Sequence, residues 1–208
     1  MKSQANIISA VIIVIIGISL VSTAYMWGMP LIRKRQDTAL VERAFRYFDR
    51  ENSKSLVRKI EFIAQHGGED TLSVDMDGIW FLYPYGVSNP ENNSIQFSFS
   101  STVTDTAKDV GWVSLSSGNI NPIGSLGIDD PSVVFVRADT HRDTFNITYK
   151  SWFRELDETP EKGYKIRLLP DTITTSVGRT IRISRGEIKE ETQGSKTLII
   201  TEIKLLLV

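Results

Sequence analysis

Between Lys2 and Arg33 the chain carries no charged side chain. That gap exceeds the roughly twenty residues with which a helix crosses a bilayer's hydrocarbon core. From Ile7 to Met29 it holds eleven Ile, Val and Leu residues. At about −0.3 to −0.6 kcal/mol each, they favour insertion by about 3 to 6 kcal/mol. Ser9, Ser19, Ser22 and Thr23 can return their hydroxyls to carbonyls one turn back, so they do not oppose a spanning helix. Tyr25 and Trp27 stand near its end, where amphipathic rings prefer the membrane–water interface, and Arg33-Lys34-Arg35 follow at headgroup level. A removable secretory signal fits less well. Its apolar core is shorter, and the small residues here, Ser22-Thr23-Ala24, lead into bulky Tyr25, Met26 and Trp27.

Pro30 predicts a kink or an end to this helix, because it lacks an amide hydrogen. Helical spacing then resumes in an amphipathic form. Leu40, Val41, Ala44, Phe45 and Phe48 make one apolar face, and Leu56, Ile60 and Ile63 another. Asp49 to Ser53 is a polar break, with Ser53 or Ser55 as the cap of the second segment. Gly67-Gly68 ends the helical region.

From Thr71 the period becomes two. Leu72, Val74 and Met76 lead to Asp77-Gly78, and Ile79 to Leu82 run away from it, which predicts a hairpin. Residues 84–93 read as a turn-rich connection. Ile95, Phe97 and Phe99 alternate with Gln96, Ser98 and Ser100, as in a strand with one wet face. Further strands are expected at Val113–Leu115, at Val133–Val136 as a central strand, at Phe145–Phe153, at Tyr164–Leu168, at Ile181–Ile183 and at Leu198–Val208. The fold class that follows is α+β: a long N-terminal helix, half spanning and half amphipathic, and then an antiparallel β-sandwich-like domain. Residues 1–35 make a leader and transmembrane helix, 36–66 its amphipathic extension, and 67–208 the β-rich domain.

The net charge of −1 in 208 residues provides no basic field for nucleic acid. With no cysteine and two histidines, thiolate chemistry is excluded and imidazole chemistry restricted. Asp75-Met76-Asp77-Gly78 resembles the start of a calcium loop but lacks its distal glutamate, and reads better as a turn. Asp139 to Asp143 surrounds His141 with carboxylates and reads as a solvated connection between strands. Asp157 to Gly163 reads as a surface turn, and Glu187 with Lys189, Glu190 and Glu191 as exposed loop charges. Asn92-Asn93-Ser94 and Asn146-Ile147-Thr148 fit the glycosylation acceptor pattern. No phosphate loop, nucleophile elbow or zinc signature stands out. We expect no catalytic, cofactor or metal site and no cofactor.

A short basic start, an apolar helix and a β-rich remainder together resemble archaeal type IV pilin-like proteins, a class of pilins, archaellins and accessory subunits. The resemblance covers about the first fifty residues. It implies cleavage by a prepilin peptidase, with Lys2 as the basic leader residue, Ser3 the last leader residue and Gln4 the new N-terminus. Serine stands where glycine or alanine is commoner. It also implies partners: the membrane, further copies or other pilin-like subunits, and no nucleic acid. Small residues Ala10, Gly17, Ser19 and Ala24 would allow helices to approach closely. The other reading is a non-catalytic β-sandwich binding or adaptor domain on a single-pass anchor. The basic residues after the helix, Arg33 to Arg35 with Arg43 and Arg46, would by the positive-inside rule hold the domain in the cytoplasm. The resemblance, and a Ser-, Thr- and Asn-rich domain, favour an extracellular one, and that is the expectation here.

Overall fold

A computed structural model of the chain describes residues 2–86 and 91–208, with side chains from residue 11 onward. The side chains of Lys2, Ser3, Gln4 and Ala10 therefore lie outside the description, as do residues 87–90 of the expected 84–93 connection. The described chain divides into two compact units, Met1–Ala39 and Leu40–Val208.

Helix α1 runs Lys2–Phe48 with Pro30 inside it, so the helix does not end at the proline. One lost amide bond is outweighed by the strong helix formers that follow, Leu31 and Arg33 to Gln36. It stops where Asp49 and Asn52 turn their carboxylate and amide oxygens onto the amides of Glu51 and Lys54, each at 3.0 Å, a side-chain alternative to the helical bond. Helix α2, Leu56–His66, starts where Ser55 Oγ accepts from the Arg58 amide at 3.3 Å. It ends at Gly67, whose φ of 80° only glycine adopts freely and whose N–H reaches the Ile63 carbonyl at 2.8 Å.

Among the described residues, twelve strands form two six-stranded sheets. One runs β1 (Glu69–Ser73), β11 (Thr180–Gln193), β12 (Lys196–Leu207), β9 (Lys162–Pro170), β8 (Glu155–Thr159), β5 (Ile123–Ser125). The other runs β10 (Thr175–Ser176), β2 (Ile79–Tyr83), β3 (Ser94–Ser101), β7 (Thr144–Phe153), β6 (Ser132–His141), β4 (Val113–Ser114). The second sheet is antiparallel, but β12 pairs with β9 and β5 with β8 in parallel. The wholly antiparallel expectation is corrected in the first sheet. The chain between β9 and β12 makes the long excursion through β10 and β11 that a parallel pairing needs.

Three local readings also change. The β1–β2 hairpin does not form: β1 pairs with β11 and β2 with β3, in different sheets. Gly78 is not among the glycines with positive φ, so Asp77-Gly78 is not the primed turn a two-residue hairpin requires. Its glycine serves close packing instead, since a Cβ there would overlap the Phe97 ring. Glu187 to Glu191 lie in β11, where Ile188 to Glu191 pair with Leu198 to Thr201 after a bulge. Pairing with an apolar partner strand overrides the weak strand propensity of a charged run. Lastly, β3 has no wet face along most of its length, Gln96 and Ser98 being only 5% and 8% exposed. Val133–Val136 lies one strand in from an edge, in β6, while the expected C-terminal strand, β12, is central.

One hydrophobic cluster takes Val41, Ala44 and Phe48 from α1, Leu56, Ile60 and Ile63 from α2, and inward residues of both sheets, among them Trp80, Tyr149, Ile183 and Leu205. Phe48 stacks against Trp80 and Tyr149 with ring centroids 6.0 and 5.7 Å away. The amphipathic residues that follow the apolar segment are thus core residues of the β-rich unit. Asn93 links the sheets polarly. Its amide donates to the Phe153 and Ile166 carbonyls at 2.7 and 2.8 Å and accepts from the Leu168 amide at 2.9 Å.

Candidate functional site

The largest uncovered apolar surface belongs to α1. Every Ile, Val and Leu from Val11 to Val21, with Tyr25, Met26, Trp27, Leu31 and Ile32, is between 50% and 78% exposed. Six consecutive β-branched residues, Val11 to Ile16, advance by 100° each, so the apolar surface goes right round the helix rather than along a stripe. By length and composition this helix can cross a membrane. Thr23 returns its hydroxyl one turn back as expected, Oγ1 donating to the Ser19 carbonyl at 2.8 Å. A Cβ on Gly17 would meet nothing within 4 Å. Gly17 and Ala24 are seven residues apart and share a face, with Ser19 exposed on the same helix. Tyr25, Trp27, Arg33, Lys34 and Arg35 are all exposed. They span eleven residues of helix, ten rises of about 1.5 Å or about 15 Å.

The carboxylates of the calcium-like stretch serve protein contacts. The Tyr47 hydroxyl donates to Asp75, which also pairs with Arg43 at 3.3 Å, and Asp77 pairs with Arg179 at 2.5 Å. Tyr47's hydrogen bond, chiefly, lowers the Asp75 pKa. Burial, chiefly, pushes Tyr47 up to about 12. His141 pairs with Thr144 across a two-residue turn, and His66 stacks on Phe62. Among the described residues no three His, Asp or Glu side chains converge as metal ligands would. Of the two sequons, Asn92 accepts from the Gly86 amide at 3.0 Å, and Asn146 is exposed on β7.

Two buried polar arrangements were not anticipated. Glu61, 4% exposed, accepts from Ser132 Oγ at 2.7 Å and pairs with Arg50 and Arg58, each at 3.2 Å. Burial raises its pKa, against the pull of Arg50, Ser132 and Arg58. A sequence signal existed: Glu61 stands four residues after Val57 and beside Ile60, on the apolar face of α2. The second arrangement covers the outer face of the antiparallel sheet. Across it, Phe81, Gln96, Lys150 and Phe135 form one row, Ile79, Ser98, Thr148 and Arg137 the next, and Ser100, Asn146 and Asp139 a third. Trp112 closes one side, with Lys150 Nζ 4.0 Å and the Arg137 guanidinium 4.8 Å from its ring. Glu91 bonds Gln96 and Lys150 beneath it at 2.8 and 2.9 Å. What stays open is a groove of about 560 Å³.

Comparison of the chain with protein-family models, with curated proteins and with solved structures finds no match.

Proposed function

We propose that this chain is a non-catalytic, type IV pilin-like structural protein, anchored in the membrane or assembled into filaments through α1, with its sandwich-like β domain outside the cell for assembly or adhesion. The observation that carries the reading is the uncovered apolar surface of Val11 to Ile32 on a helix continuous with a β-rich unit. Such a surface must be buried in lipid or against other helices, and the open face at Gly17 and Ala24 supports close helix approach. Prepilin peptidase processing would begin the mature chain at Gln4. Crosslinking in native membranes tests assembly: oligomers should form, and Gly17→Leu should diminish them without altering the unfolding of the β domain. Capture of monomer alone overturns the filament-subunit form.

A second reading, a single-pass anchor for a β-sandwich binding domain, is favoured by the apolar surface's running right round the helix, which suits lipid on every side. Protease added to intact cells tests the extracellular placement on which the pilin-like reading depends. It should digest the chain beyond about Arg33, and a β domain protected until lysis would overturn the extracellular placement.

A further inference from the structure

We infer that the groove on the outer face of the antiparallel sheet is a binding site for a short neutral saccharide. The inference starts from an anomaly of patterning. An outer sheet face normally carries solvated, charged side chains, yet here the Phe81 ring and the Ile79 side chain flank hydroxyls and amides in an open groove. Ile79 and Phe81 stand on the β2 side, where their neighbours Trp80 and Leu82 point into the core. The floor is Ser98, Thr148, Ser100 and Asn146, with hydroxyls and an amide as its side-chain polar groups. Thr148 Oγ1 donates to Ser98 Oγ at 3.1 Å, and Ser98 Oγ donates to Asn146 Oδ1 at 2.9 Å. That chain fixes the Asn146 amide so that its N–H groups remain available as donors from the floor.

The ligand's charge follows from the rim. Arg137 Nε lies 2.8 Å from Asp139, and Asp77 is held by Arg179 at 2.5 Å. Both charged lining residues are already compensated, so the groove selects neither an anion nor a cation. An extended peptide would need free backbone donors and acceptors. The backbone groups of β3 beneath the groove are engaged in ladders on both sides, with β2 and β7. The chemistry left is that of a pyranose, with one face of C–H groups against a ring and a rim of hydroxyls for amide and hydroxyl partners. The volume falls within the range of small-ligand sites.

The use of this site in cells rests on the extracellular placement proposed above, but the binding itself does not. The full chain in lipid nanodiscs, prepared without alkyl-glycoside detergents, is titrated calorimetrically with chitotriose, mannotriose and maltotriose. At least one should bind saturably. Phe81→Ala and Phe81→Leu should each weaken it tenfold or more, and Asn146→Ala at least threefold. Thermal unfolding confirms that each variant is folded, and Phe81→Leu keeps apolar bulk should the alanine variant unfold. Ile128→Ala, at a position 87% exposed and outside the groove, should change nothing. The inference is overturned if none of the three trisaccharides binds, or if binding survives both Phe81 changes. It is also overturned if a neutral peptide of no fixed sequence displaces the sugar. Nanodisc binding is blind to which side of the membrane the domain occupies, so its failure and that of the protease test are read separately.

Discussion

Replacing Arg50 with alanine should leave Glu61 as a buried carboxylate short of its main counterion. Arg50 is 16% exposed and Glu61 4%, and the same guanidinium donates to the Ser132 carbonyl at 2.9 Å. Breaking a buried pair from one side costs about 3 to 5 kcal/mol. Arg50 also pairs with Asp130 at 2.9 Å, but that carboxylate is 60% exposed, so this part is worth at most about 1 kcal/mol. For a domain of this size the midpoint falls about 2–4 °C per kcal/mol, or about 6 to 24 °C in all at pH 7. The loss should depend on pH in a definite sense. Because burial raises the Glu61 pKa above its ordinary 4.5, the folded state holds that proton more tightly than the unfolded state. Stability from this group is full below about pH 4 and declines as pH rises through the folded pKa. Without Arg50 the folded pKa climbs further, so the gap between wild type and variant should widen from pH 4 to pH 7. Toward pH 4, as protonation relieves the buried carboxylate, the loss should shrink toward that of the Ser132 and Asp130 contacts, about 1 to 2 kcal/mol. Tryptophan fluorescence during thermal unfolding in nanodiscs reads both values. Adding Glu61→Gln to the variant should recover at least half of the pH 7 loss. A gap of the same size at pH 4 and pH 7, or one under about 1 kcal/mol at pH 7, would refute the reasoning.

Asn93→Ala should cost about 3 kcal/mol, since it strips a buried donor and acceptor from three backbone groups, and the urea midpoint will show it. Asn93→Asp should be at least as damaging at pH 7, because a carboxylate would face the Phe153 and Ile166 carbonyls. Gly78→Ala should destabilise by about 1 to 3 kcal/mol through overlap with the Phe97 ring, again measured by urea. Phe48→Ala should cost about 3 to 5 kcal/mol and loosen the last turns of α1, seen as faster hydrogen exchange over Val41 to Tyr47.

Periodicity located α2 and most of the long strands because their apolar positions face one core and repeat at the spacing of the backbone. Leu56, Ile60 and Ile63, or Phe145, Ile147 and Tyr149, leave little choice of element. Partnership between strands was less legible. Asp77-Gly78 carries the local signature of a hairpin, and only Phe97, twenty residues on, shows that its glycine makes room for a ring. Glu187 to Glu191 read as loop because their neighbours in β12, Leu198 to Thr201, supply the strand's stability from outside the segment. In the candidate sites the α1 surface was fully legible, being a matter of composition. The groove was not, since Ile79, Ser98, Thr148 and Arg137 come from four strands and meet only through register. Glu61 could have been flagged from its place on an apolar helix face, but Ser132, seventy-one residues later, could not.

The pairing order of the first sheet bears on when this chain can fold. Glu69 in β1 pairs with Ser184 in β11, and β11 and β9 meet only across β12. β1 therefore waits for β11 while the chain is being made, at about 5–20 residues per second, whereas β5, β8 and β9 can pair before β12 exists. The closure entropy of pairings so distant in sequence also places the domain among slow, millisecond-to-second folders. Helix α1 is available to the membrane long before the strands have partners, so on the proposed topology the domain would cross unfolded and close afterwards. During that interval β11 would be an unpaired strand beside its neighbours, and its Lys189, Glu190 and Glu191 would then act as guards against intermolecular pairing.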